Sequence, residues 1–116
     1  MEFRQRLTLL LADVEGSTGT ALVGLDGVPV EHLSEELDMV NLGAEYAPVI
    51  GDAKRASQDL DLGDLKAVSI LTHRMSLLFS LLPHDYFVTL AVQNRGNWGK
   101  TRYKLQHHTE RLKGEI

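Results

Sequence analysis

The sequence predicts an α+β domain in which a β-sheet lies between two helical layers. Asp26-Gly27 is a strong hairpin signal between two short β-type runs. A helical apolar repeat extends from about Leu37 to Leu60. Met75–Leu82 and Tyr86–Gln93 are apolar on both strand faces, as expected of strands that are covered on both sides.

Length and composition indicate one ordinary globular domain spanning residues 1–116. The chain is 43% hydrophobic and 24% charged. No apolar run reaches the roughly 18 residues that cross a bilayer, so no membrane association is expected. The N-terminus lacks the layout of a signal peptide and the chain has no cysteine, which suits a cytoplasmic protein.

The net charge of −4 hides an asymmetry between the two halves of the chain. Residues 1–64 hold 13 acids and 4 bases, whereas residues 65–116 hold 3 acids and 8 bases. Such halves either attract one another or present two unlike faces to partners. The basic segment Arg95–Lys113 carries no known nucleic-acid motif, so nucleic acid is not an expected partner.

The first elements are a helix and a hairpin. Apolar residues at helical spacing predict an amphipathic helix over residues 2–14. Alternation then places Ala21 and Val23 on one face of the first strand and Leu22 on the other. The Asp-Gly pair predicts a tight turn with positive φ at both positions. Pro29 has no N–H to donate, so the second strand should lie at an edge or have the backbone nitrogen of Pro29 facing outward.

The long helix carries three stripes of residues. The large apolar stripe, expected to pack on the sheet, is Met39, Leu42, Tyr46, Val49, Ala53, Ala56 and Leu60. The second, mostly small-residue stripe is Val40, Gly43, Ala44, Ala47, Ile50 and Gly51. It is covered either by a wide sheet or by a partner helix from a second copy, and we favour the partner helix. Asn41, Glu45, Asp52, Arg55 and Asp59 form the polar stripe with Pro48, so we expect one helix kinked there rather than two short helices.

The last elements are three strands and a helix. Gly63 is the expected left-handed cap of the long helix. The strand Leu65–Thr72 precedes the two buried strands, and a turn covers Asn94 to Asn97. Asn97 is a good N-cap for a helix that begins at Trp98.

No pattern of catalytic or cofactor-binding residues stands out. His107 and His108 are adjacent, so on a helix they point in different directions and do not readily share a metal ion. Segment Gly16–Thr20 lacks the lysine of a phosphate-binding loop, and no nucleophile-elbow pattern occurs. We therefore expect no enzyme, no cofactor and no metal.

The order of elements and several local motifs resemble the Roadblock/LC7 domain. Leu22–Val30 resembles the family's strand, Asp-Gly turn and strand, and Leu60–Gly63 resembles its exit from the long helix. In Asn94–Arg102, Gly99 and Arg102 match the glycine and arginine that open the family's last helix.

The resemblance spans nearly the whole chain and implies a profilin-like α+β sandwich of order α-β-β-α-β-β-β-α. Its five-stranded antiparallel sheet has the long helix on one face and the terminal helices on the other. Trp98, in place of a smaller aliphatic residue, and His73-Arg74, in place of an acidic or glycine-bearing turn, depart from the pattern but leave this fold intact. Family members dimerise through the strand after the long helix, with the two long helices side by side. The dimer interface is therefore expected at Ala44, Ala47, Gly51, Val68 and Ile70.

The family's usual role is non-catalytic regulation or scaffolding of Ras-like small GTPases. Its bacterial branch includes MglB, which activates the switch GTPase MglA by reshaping the GTPase's own site. The resemblance thus implies a homodimeric GTPase regulator that docks through Asn41, Glu45, Asp52 and Arg55. The alternatives are a structural adaptor in a multiprotein complex without a GTPase and a small-ligand-sensing domain.

Overall fold

The computed structural model describes residues 2–93 and 97–116. Predicted residues 94–96 of the last turn, and with them Arg95 of the basic segment, lie outside the described residues. The helices are α1 (Phe3–Asp13), α2 (Met39–Asp59) and α3 (Trp98–Lys113). The strands are β1 (Ser17–Gly24), β2 (Pro29–Ser34), β3 (Ala67–Leu71), β4 (Met75–Leu82) and β5 (Tyr86–Gln93).

The five strands form one antiparallel sheet in the order β2-β1-β5-β4-β3. A core that includes Ile50 of α2 covers one face, and a core that includes Leu10 of α1 and Leu105 of α3 covers the other. β4 and β5 are buried on both faces, and their predicted bounds are confirmed. The predicted α+β sandwich, with its element order and layers, is therefore confirmed.

The β1–β2 hairpin follows the prediction except at its turn. Gly27 has a φ of +87°, whereas Asp26 keeps a negative φ. The N–H of Gly27 donates to the carbonyl of Gly24 at 2.9 Å, and the register shifts by one residue at Val23. This is a β-turn followed by a left-handed glycine, so the expectation of two positive φ values was wrong. Pro29 lies in an edge strand, as predicted.

α2 is one helix that continues through Pro48, so the alternative of two short helices is wrong. Pro48 is exposed, where water reaches the carbonyl that its ring leaves unpaired. Asp38 caps the N-terminus, accepting a hydrogen bond from the N–H of Asn41 at 3.0 Å.

The side of α2 that packs on the sheet, which we call its packing phase, differs from the prediction. Its buried residues are Met39 of the large apolar stripe and Gly43, Ala47 and Ile50 of the small-residue stripe, so the contact with the sheet is centred on the small-residue side. A Cβ at Gly43 would lie 2.9 Å from Cγ2 of Val23, so the helix approaches β1 closely through small side chains. The large apolar stripe is consequently at the flank of the contact, not at its centre.

The end of α2 also differs. Asp61, with φ 59°, is the left-handed residue. The N–H of Leu62 donates to the carbonyl of Ser57 and that of Asp61 to Gln58, at 2.9 and 3.0 Å. These two bonds define a Schellman motif with Asp61 at C′, so the assignment of the cap to Gly63 was wrong. Gly63 has its own positive φ of 94° further along the exit loop, and β3 starts later than predicted.

Candidate protein-binding surface

The four predicted docking residues lie on one exposed face of α2. Asn41, Glu45, Asp52 and Arg55 are all solvent-exposed and span about 21 Å along the helix axis at 1.5 Å per residue. Arg55 Nη1 lies 3.0 Å from Asp52 Oδ1, and both side chains are about two-thirds exposed, at 66% and 68%. This face is the polar stripe defined above. It offers charged and amide groups to another protein but encloses no cavity.

Beside the polar stripe, α2 carries an exposed apolar flank. Leu42, Tyr46 and Ala53 are half-buried, while Val49 is 45% exposed and Leu60, just past the helix end, is 70% exposed. These five residues are the apolar flank. The ring of Tyr46 lies 5.4 Å from that of Phe79 on β4, so the flank faces the β4–β3 side of the sheet. Branched and aromatic side chains left half in water are typical of a surface that another protein covers.

The chain itself covers part of the small-residue stripe of α2. Ala47 is 1% exposed because it packs on the sheet, so the prediction that its side chain contacts a second copy is wrong. A Cβ at Gly27 would lie 3.6 Å from Cα of Ala44, which places the hairpin turn over that part of the helix. Gly51 has no neighbour within 4 Å of its Cβ position. The buried members of this stripe therefore need no partner helix, whereas a role of the exposed Ala44 and the half-buried Gly51 in a dimer stays a prediction.

β3 is the free edge of the sheet next to the apolar flank. Among the described residues it pairs with β4 alone, and no described strand lies beside its outer N–H and C=O groups. Val68 and Ile70 are half-buried against the α2 core, whereas Leu71 is 69% exposed. An unprotected edge with an exposed leucine favours pairing with another strand. The predicted role of Val68 and Ile70 in a dimer stays a prediction.

The ionisable groups act as ties between elements. Lys54 Nζ of α2 donates to Oδ1 of Asp85 at 2.6 Å, and this bond lowers the pKa of the Asp85 carboxyl. The carbonyl of Asp85 also accepts from the N–H of Leu25 at 2.9 Å. The β4–β5 turn is thus linked both to α2 and to the hairpin, while the burial of Ala47 and Ile50 holds the helix on the sheet.

A second tie joins α1 and α3, and sequence reasoning missed it. Nε2 of His108 lies 2.9 Å from Oδ2 of Asp13, and the Asp13 pKa is lowered, first by this hydrogen bond and also by Lys104. His108 is 6% exposed. Its place between Leu105 and Leu112 on the inner stripe of α3 was the available signal. Among residues 2–93 and 97–116, no group of three or more His, Cys, Asp or Glu side chains could hold a metal ion.

In the described ranges 2–93 and 97–116, no helix has the length and apolar character needed to cross a membrane.

The family model for the Roadblock/LC7 domain matches residues 4–94. A comparison with curated protein sequences gave no significant match.

Three solved structures are similar over almost the whole chain. MglC from Myxococcus xanthus is 30% identical, with a TM-score of 0.71 and 100% of both chains covered. A Roadblock/LC7 domain from Streptomyces avermitilis is 14% identical, with a TM-score of 0.87 and 99% and 98% of the two chains covered. MglB from Myxococcus xanthus is also 14% identical, with a TM-score of 0.84 over 98% and 96%. At this low identity, the last two demonstrate a shared fold alone.

Proposed function

This chain belongs to the Roadblock/LC7 domain family, and from that premise we propose that it is a non-catalytic, homodimeric regulator or scaffold of a Ras-like small GTPase. The finer proposal is a GTPase-activating partner of an MglA-type switch protein. The observation that carries both is the exposed face of α2, where a polar stripe runs beside an apolar flank on a helix that packs on the sheet through Ala47 and Ile50. The exposed face of α2 is convex and encloses no cavity, which suits a protein partner and not a small substrate.

The dimer buries the apolar flank of α2 and pairs the free edge of β3. Burial of partly exposed side chains such as Val49 and Leu60 removes apolar surface from water, and edge pairing satisfies the outer backbone groups of β3. Val68 and Ile70 then lie beneath the seam rather than on it. This arrangement moves the helix contact from the small-residue stripe to the opposite side of α2.

Two exposed valines of α2 provide a matched test of the dimer. Val49, 45% exposed, lies on the apolar flank, and Val40, 38% exposed, lies on the hairpin side. Val49→Asp should weaken dimerisation at least about tenfold by burying a carboxylate at the seam, whereas Val40→Asp should leave it unchanged. Light scattering at several protein concentrations measures both. A wild-type monomer at high concentration, or a Val49→Asp dimer as tight as the wild type, would refute the proposed interface.

The docking test uses two similar ion pairs. Asp52–Arg55 on the polar stripe and Glu110–Lys113 on α3 are both exposed pairs three residues apart, at 3.0 and 2.9 Å. Reversing the charges in either pair should leave folding intact, because exposed pairs contribute little. Calorimetry with a small GTPase from the same organism, loaded with a GTP analogue, should detect weaker binding only for Asp52→Lys with Arg55→Asp. Equal affinity in the folded variant would move docking away from the polar stripe.

Regulation of this kind needs no catalytic group on the chain. A single-turnover assay of GTP hydrolysis by the same GTPase separates the two finer roles. An activator accelerates hydrolysis in proportion to the bound fraction, while a scaffold binds without changing the rate. Binding to neither nucleotide state of any Ras-like GTPase of the organism would favour the structural adaptor instead.

A further inference from the structure

The exposed side of α3 has a composition unlike that of α2. Leu105 and Leu112 anchor the helix in the core, and four residues at intervals of three and four lie on the opposite, solvent-exposed side. They are Lys100, Tyr103, His107 and Arg111, which we call the α3 outer stripe. Tyr103 is 72% exposed, a large aromatic surface left in water on a helix whose N-terminus is fixed by the Asn97 cap.

Pairing within the chain leaves part of the positive charge of α3 free. Lys104 lies 3.3 Å from Asp13, and Lys113 lies 2.9 Å from Glu110, so these two cations have partners. Within residues 2–93 and 97–116, by contrast, neither cation of the outer stripe, Lys100 or Arg111, forms an ion pair. Arg102 forms none either, but it lies about 160–180° around the helix axis from these two residues and is not part of the stripe. One ammonium and one guanidinium group therefore face solvent unpaired on the same side of α3.

The position of Lys100 is not explained by helix stability. It lies in the first turn of α3, which contains no acidic residue. The positive end of the helix dipole disfavours a cation there by about 0.3–1 kcal/mol. Arg111, in contrast, lies in the last turn, where a cation is favourable. The first turn thus combines the dipole and Lys100 into one positive region that an anionic partner would relieve.

We propose that the α3 outer stripe binds an acidic segment of a partner protein. Lys100 and Arg111 are separated by about 16 Å along the axis, a length that about three turns of helix or five residues of strand can match. Carboxylates of such a segment pair with the two end cations, and Tyr103 in the middle supplies the aromatic contact that anchors interfaces.

Nucleic acid fits this surface less well than an acidic polypeptide. Affinity for nucleic acid grows with the number of phosphates neutralised, and two unpaired cations on a chain of net charge −4 neutralise few. The surface lies on the face of the sheet opposite α2. Its occupant is therefore independent of the proposed GTPase, and a failure of either proposal leaves the other standing.

Fluorescence anisotropy with a labelled peptide of about three helical turns, bearing glutamates at spacings of three and four, tests the proposal. Binding at about 50 mM salt should weaken at least fivefold at about 300 mM, because exposed charges are screened. Lys100→Glu with Arg111→Glu should weaken binding at least tenfold, and Tyr103→Ser should weaken it severalfold.

The control keeps the change in net charge but moves it elsewhere. Arg4→Glu with Arg74→Glu alters two exposed cations outside α3 and should change peptide affinity less than about twofold, since long-range attraction is mostly screened. Equal losses in the two double variants, or no peptide binding at low salt, would overturn the proposal. So would a DNA duplex that binds the same stripe more tightly than the peptide does.

Discussion

The packing phase of α2 predicts opposite effects for the same substitution at two glycines of that helix. At Gly43, the new Cβ would meet Cγ2 of Val23 at 2.9 Å and Cγ1 at 3.4 Å. Val23 is 1% exposed and β-branched, so its side chain has no alternative rotamer into free space. At Gly51, the new Cβ has nothing within 4 Å.

The magnitudes follow from two terms. Alanine is favoured over glycine inside a helix by about 0.8–1 kcal/mol at either position. Over-packing a close contact costs about 1–3 kcal/mol, and only Gly43 incurs that cost. Gly43→Ala should therefore lower the free energy of unfolding by up to about 2 kcal/mol, whereas Gly51→Ala should raise it by about 0.5–1 kcal/mol.

Urea denaturation, followed by circular dichroism, measures both variants against the wild type. The protein concentration must be held equal, because association with a second copy would add to the apparent stability. Stabilisation by Gly43→Ala equal to that by Gly51→Ala would show that Gly43 does not face β1. The assignment of the apolar flank would then be wrong as well.

Three further outcomes follow from the structure. Thr89 Oγ1 is buried without a hydrogen-bond partner among the described residues, so Thr89→Val should stabilise the folded protein by about 1 kcal/mol. Thr20→Val deletes a 2.8 Å hydrogen bond to the carbonyl of Thr89 and should destabilise the protein by about 0.5–1.5 kcal/mol. The urea denaturation assay described above measures both. Asp61→Gly should raise the thermal midpoint, because glycine adopts the left-handed conformation at this C′ position without strain; a lowered midpoint would contradict the cap. The folded-state pKa of Asp13 is lowered, chiefly by the hydrogen bond with His108. The contribution of Asp13 to the free energy of unfolding is therefore present above about pH 4 and is lost as the pH falls through the folded-state pKa. The difference in stability between wild type and Asp13→Asn should narrow below about pH 4, and a constant difference would refute the pairing.

Strand positions could be predicted from the sequence because local signals agreed with the fold. β4 and β5 carry apolar residues on both faces, and Pro83 with the two residues after it separates them, so both strands end where the pattern changes. The edge position of β2 followed from Pro29 alone. In these elements, buried positions hold mostly apolar residues and turns hold proline or polar residues, so residue type alone already indicates where each residue lies.

The packing phase of α2 could not be predicted in the same way. An apolar repeat gives most weight to large side chains, but a helix that approaches a sheet closely has small residues at the centre of contact. Gly43 and Ala47 occupy that centre, and Tyr46 lies at its margin. The distance between helix and sheet is set by tertiary packing, which no periodicity records. The same limitation applies to the exit of α2, where Asp61 and not the nearby Gly63 occupies C′.

The two faces of α2 proposed to bind partners are neighbours, and this adjacency has a consequence for the proposed function. Glu45 and Tyr46 are consecutive, so the polar stripe borders the apolar flank along the helix. If the flanks of two copies meet, their polar stripes lie on either side of one seam and form a composite surface. Dimerisation then strengthens GTPase docking, and a bound GTPase stabilises the dimer by the same factor. Val49→Asp should weaken both, because it removes half of the composite surface, whereas charge reversal at Asp52 and Arg55 should weaken docking and leave the dimer intact. Calorimetry and light scattering on the same preparations measure the two, and a monomeric Val49→Asp variant with undiminished GTPase affinity would confine docking to a single helix.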